Sequence, residues 1–347
     1  MRILVTGAAG FIGSQYVRAA LSGEYPDLTG AEVVVLDKLT YAGSTANLAG
    51  LLGDERLTFV RGDVADPDDV AEAMAGCAQV VHFAAESHVD RSIDAARDFV
   101  VTNVLGTQTL LEQARRQGVE RFVHVSTDEV YGSIETGSWA EGQPLDPRSP
   151  YAASKAGSDL LALAYARTHD LPVVVTRCSN NYGPHQFPEK LVPLFVTNLL
   201  DGLPVPLYGD GSNVRDWLHV SDHCRGIELV RAGGRTGETY HIGGGTELTN
   251  RELVQRLLDA CGRDWGFVRE VPDRPGHDRR YSLDIGRISA ELGYAPRVGL
   301  DEGLAETVRW YEEHESWWRP LKAAAGGARH GAPIQRAAAA PSLADLR

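Results

Sequence analysis

Five side chains in the middle of the chain could carry out proton chemistry together. A hydroxyl and two carboxylates, Thr127-Asp128-Glu129, lead into Val130-Tyr131-Gly132, and further on a segment opens with Tyr151-Ala152-Ala153-Ser154-Lys155. Tyr and Lys four residues apart share one face of a helix. An ammonium beside a phenol stabilises the phenolate and lowers its pKa, which makes Tyr151 a candidate base near neutral pH. Tyr-x-x-x-Lys by itself is more often an ordinary surface pair. The hydroxyl and the two acids at the same strand end favour chemistry over a solvated loop.

The elements that must hold these residues can be read on either side of them. The apolar run 121–125 predicts a buried strand with Thr127 at its mouth, and Pro150 precedes the Tyr151 helix, which extends to about residue 168. At the N-terminus a short strand, 3–5, enters Thr6-Gly7-Ala8-Ala9-Gly10-Phe11-Ile12-Gly13, and a helix follows to about residue 21. Glycines in such a turn permit a tight bend, close approach to a pyrophosphate and close helix packing, and the helix N-terminus presents its positive end to phosphates. A second strand, 32–37, ends in Asp37, placed to accept hydrogen bonds from an adenosine ribose and to repel a 2′-phosphate; NAD is therefore expected over NADP, although Lys38 stands beside it. Strands at 57–60 and 80–83 follow. The second leads into Ala84-Ala85-Glu86-Ser87-His88, at the carboxyl end where open parallel sheets bind ligands, and the small Ala84 and Ala85 leave room beside Phe83 for NAD. A long helix is expected over 96–117, a strand over 173–177, a further strand over 239–242 that returns to the sheet, a helix opening at Asn250 and a last helix over 300–313.

At 347 residues, with 23% charged and 43% hydrophobic positions, the chain is long enough for two domains of ordinary globular composition. The net charge of −13 argues against nucleic acid or an acidic membrane as a general partner. Cys77, Cys178, Cys224 and Cys261 are scattered without metal spacing and read as free thiols of a reducing compartment; no metal is expected, no apolar run is long enough to span a membrane, and the cytoplasm is the expected location.

Gly7-x-x-Gly10-x-x-Gly13 with Tyr151 and Lys155 resembles the extended short-chain dehydrogenase/reductase superfamily, over about residues 1–320. Thr127-Asp128-Glu129 is similar to the nucleotide-sugar 4,6-dehydratases, and to the branch acting on dTDP-glucose. The resemblance implies a Rossmann-like α/β fold, a doubly wound parallel sheet with a smaller, interleaved substrate region. The NAD-binding part is expected at 1–182 with 219–243 returning to it, the nucleotide-sugar part at 183–218 and 244–320, and a disordered tail at 321–347. It further implies that Lys38, Leu39, Thr40, Asp63, Val64, Ser87, Thr102 and Asn181 join the glycine turn (with Phe11 and Ile12), Asp37, Phe83, Ala84, Ala85, Tyr151 and Lys155 around NAD. Ser87, Thr127, Asn180, Glu189, Lys190, Leu191, Pro206, Tyr208, Arg215, Asn250, Arg274 and His277 are implied for the nucleotide sugar, with Arg215 suited to a diphosphate. A homodimer packed through helices 96–117 and 151–168 is expected.

By the same resemblance, Tyr151 deprotonates the C4 hydroxyl while C4 is oxidised, Thr127 orients that hydroxyl, Lys155 holds the nicotinamide ribose, Glu129 removes the C5 proton and Asp128 protonates the leaving C6 oxygen. A 4-epimerase would share the glycines, Tyr151 and Lys155 but would need no acid pair. A GDP-mannose 4,6-dehydratase or a decarboxylase is chemically closer. An NAD-binding regulatory protein would be expected to lack Tyr151 or Lys155.

Overall fold

The computed structural model describes residues 1–273 and 276–328. Its strands are β1 (Arg2–Thr6), β2 (Glu32–Asp37), β3 (Leu57–Arg61), β4 (Gln79–His82), β5 (Arg121–Thr127), β6 (Val173–Cys178), β7 (Asn180–Tyr182), β8 (Val205–Tyr208), β9 (Val214–His219), β10 (Thr239–Ile242), β11 (Glu247–Thr249) and β12 (Val268–Val271). Among the described residues seven strands form one sheet in the order β10-β6-β5-β4-β1-β2-β3. Every pairing in it is parallel. Val is the commonest residue of these strands, as expected where helices cover both faces of a parallel sheet.

The order of the strands reverses direction between β1 and β4, and crevices for ligands open at such a point. Here Gly7 is indispensable. It has φ +68, and a Cβ at this position would stand 2.6 Å from both the Cα and the N of Ala84. Gly13 is similarly pressed, its notional Cβ lying 2.6 Å from the Gly7 carbonyl oxygen. The bare backbone is what lets the turn after β1 meet the segment after β4.

The second region has two small sheets, β11-β9-β7 and β12-β8. Its core gathers Phe195, Leu253, Leu257, Leu304, Tyr311 and Trp318 from the helices Leu191–Leu200, Asn250–Ala260, Leu300–Glu313 and Glu315–Ala328. Thr249 and Glu252 form a reciprocal cap at the start of Asn250–Ala260. β7 lies before residue 183 yet pairs with β9 of this region, while β10 extends the main sheet beyond β6.

Two expectations need correction. The helix expected over 96–117 is interrupted: Ala96–Phe99 passes into a π-helical stretch, Val100–Leu105, and then into Gly106–Gln117. The hydroxyls of Thr107 and Thr109 donate to the carbonyls of Asn103 (2.6 Å) and Leu105 (3.0 Å), competing for the groups of the regular ladder. Beyond Pro320, where a disordered tail was expected, the helix Glu315–Ala328 continues. Tertiary contacts outweigh the proline: buried Trp318 donates its indole N–H to the Tyr311 carbonyl at 2.7 Å, and Lys322 pairs with Asp201 at 2.7 Å. The rest of the tail, 329–347, lies outside the described residues.

Gly7→Ala is expected to destabilise the protein by at least about 2 kcal/mol, because a left-handed non-glycine residue and a backbone clash coincide. Chemical denaturation checks this, and an unchanged midpoint would show that the turn can move away from Ala84.

Candidate active site

Two cavities meet at the carboxyl ends of β1, β4, β5 and β6. The larger, of about 320 Å³, is lined by Gly7, Gly10, Phe11, Ile12 and Gly13, by Asp37, Lys38 and Thr40, and by Asp63 and Val64. Phe83, Ala84, Ala85, Ser87, Thr102 and Asn181 also face it, as do Thr127, Asp128, Glu129, Tyr151 and Lys155. Leu39 is absent from this lining, contrary to expectation. Its backbone is left-handed, with φ 55, and its N–H donates to Asp37 Oδ1 at 2.8 Å. Leu39 thus serves the site through Asp37. Burial raises the Asp37 pKa in spite of the N–H groups of Leu39 and Ala9, the latter at 2.9 Å from Oδ2. Lys38 reaches across to Asp63 at 2.6 Å.

The smaller cavity, of about 190 Å³, is lined by Ser87, Asn180, Glu189, Lys190 and Leu191, and by Pro206, Tyr208, Arg215, Asn250 and His277. Of the residues expected around a nucleotide sugar, Thr127 stands in the larger cavity and Arg274 lies outside the described residues. Ser87, Glu129, Asn180, Glu189 and Lys190 face both cavities and form the seam between them. Asp128, Asn180 and Asn250 each keep a buried side-chain oxygen with no hydrogen-bond partner among the described residues. Buried acceptors left in this state are costly unless a ligand meets them.

The acid pair owes its geometry to the end of β5. Asp128–Tyr131 forms a single 3-10 turn capped by Thr127, whose hydroxyl accepts the Glu129 N–H at 3.2 Å and donates to Asp128 Oδ1 at 3.2 Å. Asp128 is only 2% exposed. Burial, then the neighbouring Glu129, raise its pKa well above the carboxylate range, with Arg215 pulling the other way. Both effects favour the protonated form of Asp128. Glu129, one residue on, stands at the seam. The two acids sit in different environments, as an acid and a base require.

Tyr151 and Lys155 project from the helix Pro150–His169, which Ser149 caps through the N–H of Ala152. Asn103, in the π-helical stretch, ties this helix to the loop after β4. It accepts from the Glu86 N–H at 2.9 Å and donates to Ser154 Oγ at 2.8 Å. Below the catalytic face, Asp159 pairs with Arg177 of β6 at 2.8 Å and stands 3.3 Å from His124 of β5. The Tyr131 hydroxyl meets Arg177 and lies 2.7 Å from His241 of β10.

The expected electrostatic coupling of Lys155 to Tyr151 is not what the structure shows. Lys155 donates to the Val125 carbonyl at 2.8 Å. Burial lowers its pKa to about 8. Burial and the charge of Glu129 raise the Tyr151 pKa well above 10, while a hydrogen bond with Thr127 lowers it in part. The phenol is thus protonated in this state of the protein, and Thr127 is the group that favours its ionisation.

The cleft fits a dinucleotide. Its floor is bare backbone at Gly7, a buried carboxylate stands at the end of β2, and small residues follow β4. Sequence reasoning did not assign Glu86, Cys178 or Phe187 to the larger cavity, nor Leu194, Phe195, Trp217 and Val254 to the smaller. The one available signal was the nearly continuous apolar run of Leu191–Leu200, which exceeds what an amphipathic surface helix needs. No group of three or more metal-binding side chains that could hold an ion occurs among the described residues. All four cysteines are free, and no described helix is long and apolar enough to cross a membrane.

The model of the family described as GDP-mannose 4,6 dehydratase matches residues 4–307. A dTDP-glucose 4,6-dehydratase of Streptomyces niveus is 62% identical over 93% of this chain and 96% of its own length. Another, of Streptomyces antibioticus, is 65% identical over the same shares, 93% and 96%. The crystal structure of the dTDP-glucose 4,6-dehydratase DesIV from Streptomyces venezuelae, solved with NAD bound, superimposes with a TM-score of 0.91 at 65% identity, covering 92% of this chain and 100% of that one. The chain belongs to the GDP-mannose 4,6 dehydratase family, alongside the dTDP-glucose 4,6-dehydratases.

Proposed function

We propose that the protein converts dTDP-glucose to dTDP-4-keto-6-deoxyglucose, with NAD+ held in the larger cavity and the nucleotide sugar in the smaller. The observation that carries this reading is the acid pair: Asp128 buried in surroundings that favour its protonated form, Glu129 at the seam where the two ligands would meet. The names of the relatives and the NAD in the DesIV structure support it. An epimerase has no use for a proton donor beside a leaving hydroxyl.

Bound NAD+ supplies the oxidant at sugar C4 and, after water has left, the reductant at C6. The glycine turn, Asp37, Asp63 and Lys155 would hold it. Tyr151, once its phenol has ionised, receives the proton of the C4 hydroxyl, which Thr127 orients through the same hydroxyl that draws on Tyr151. A ketone at C4 acidifies the hydrogen on C5; Glu129 removes it, and returns a proton to C5 when C6 is reduced. Asp128 gives its proton to the departing C6 oxygen, which leaves as water. Arg215, 4.2 Å above the Tyr281 ring and donating to the Asp278 carbonyl at 2.9 Å, is held with its guanidinium on the smaller cavity, as a diphosphate ligand would require.

We further propose a homodimer in the cytoplasm. Ile93, Val100, Leu105 and Leu160 are 44–60% exposed along neighbouring helices of the catalytic side, and the free cysteines fit a reducing compartment. Mass measurement in solution at micromolar concentration is expected to give twice the mass of the chain; the single-chain mass would exclude this assembly.

Tyr151→Phe is expected to reduce turnover on the order of a hundredfold or more, as removal of a general base does. Turnover near the wild-type rate would take Tyr151 out of the mechanism.

Isotopes separate dehydration from epimerisation. dTDP-glucose deuterated at C4 is expected to give product labelled in the C6 methyl group, and reaction in heavy water to place deuterium at C5. Glu129→Gln should abolish loss of water. Label retained at C4, or full dehydration by Glu129→Gln, would overturn the assignment.

A further inference from the structure

We propose that Asn47 and Trp317 are positioning residues that fix the pyrophosphate turn, and so the bound cofactor, from the C-terminal end of the chain. The proposal rests on NAD+ occupying the larger cavity.

Ala9 lies inside the glycine turn, and both of its backbone polar groups are engaged from outside it. Its N–H donates to Asp37 Oδ2 at 2.9 Å, and its carbonyl accepts from the Asn47 side-chain amide at 2.8 Å. The same carbonyl accepts from the Ser44 N–H at 2.9 Å. Asn47 is 3% exposed, and its own backbone carbonyl takes a hydrogen bond from Arg18 at 2.8 Å. Its remaining side-chain oxygen accepts the indole N–H of Trp317 at 3.0 Å. The result is an unbroken path from Trp317 through Asn47 and Ala9 to Asp37. Indole donates and cannot accept, so the polarity of the first link is fixed.

Trp317 is anchored on the other side of the cleft. Its ring lies 5.0 Å from that of Trp310 and 5.6 Å from that of His185. His185 has left-handed backbone, φ 66, at the head of the segment that brings Gln186, Phe187 and Glu189 to the cavity wall. The Tyr311 hydroxyl donates to the Gln186 carbonyl, and Gln186 donates to the Asn181 carbonyl at 2.8 Å. The aromatic cluster of Trp310, Trp317 and His185 therefore joins the glycine turn to the facing wall. Burial alone would be served by any large apolar ring at 317. A donor on the one oxygen that Asn47 has to spare is a more specific arrangement. The matched family model stops at residue 307, before Trp310 and Trp317.

A cofactor that is regenerated in each turnover has to stay bound between turnovers, and the strap bears on that property. Trp317→Phe keeps an aromatic ring but removes the N–H together with the five-membered part of the indole, and Asn47→Ala removes both links. The full-length protein is loaded with NAD+, and exchange of the bound molecule against isotopically labelled NAD+ is followed, together with the NAD+ concentration for half-maximal turnover. Trp317→Phe is expected to speed exchange roughly five- to tenfold, the worth of one buried hydrogen bond, and to raise that concentration by a similar factor. Asn47→Ala should exceed it. Trp265→Phe, which removes a different indole donor, bonded to Gln255, serves as control and should leave exchange unchanged. Exchange by Trp317→Phe at the wild-type rate, with or without a lower melting temperature, would overturn the strap. Wild-type protein that retains and exchanges no labelled NAD+ would instead remove the cofactor reading, and the strap with it.

Discussion

The exclusion of water from the Asp128 carboxyl is the constraint around which the site is built. An acid of ordinary pKa would be ionised at neutral pH and could donate nothing. Removing water favours the protonated form, and the nearby negative charge of Glu129 reinforces the effect, because two carboxylates so close cannot both ionise freely. The chain must then send adjacent residues into different surroundings. A strand would alternate them between faces of the sheet; the 3-10 turn at the end of β5 sets one inward and the other at the seam, with the Thr127 hydroxyl bonded to both. The same hydroxyl also draws on Tyr151, so one side chain links Tyr151 to the acid pair.

Two cavities with a common wall follow from the chemistry as much as from the fold. Oxidation at one carbon and elimination at its neighbours require both ligands to reach the same few residues. The main sheet supplies the larger cavity at its point of reversal, and the second region closes the smaller over Ser87, Glu129 and Lys190. Asn103 binds the catalytic helix to the loop after β4, which keeps the shared wall from spreading.

Features carried by short stretches of sequence were legible without coordinates. The glycine turn, the acid ending β2, the strand leading to Thr127 and the Tyr151 helix each announce themselves by local pattern. The smaller cavity was legible through resemblance, since its residues come from separated segments, from Ser87 to His277, that only the fold assembles. What escaped depended on tertiary competition. Proline at 320 signals an end to a helix, but buried Trp318 and the Lys322–Asp201 pair hold the helix past it. The spacing of Tyr151 and Lys155 placed them on one face, yet spacing says nothing of the Val125 carbonyl that takes the ammonium or of the burial that outweighs it. The π-helical stretch at Val100–Leu105 had no signal in the hydrophobic pattern, because the hydroxyls that compete for its carbonyls come from the next turn.

The place of β10 in the sheet bears on how the protein is made. It pairs with β6 although sixty residues (179–238), including β7, β8 and β9, separate the two, and it brings His241 to the Tyr131 hydroxyl. On a ribosome adding roughly 5–20 residues per second, β6 leaves the tunnel several seconds before its outer neighbour. During that interval its unpaired edge is open to other chains, and such edges invite mispairing. Tyr131 and Arg177 would wait together for the imidazole that completes their buried cluster. A nascent chain stalled before residue 239 should thus be the form of this protein most dependent on chaperones, while its glycine turn and acid pair are already synthesised.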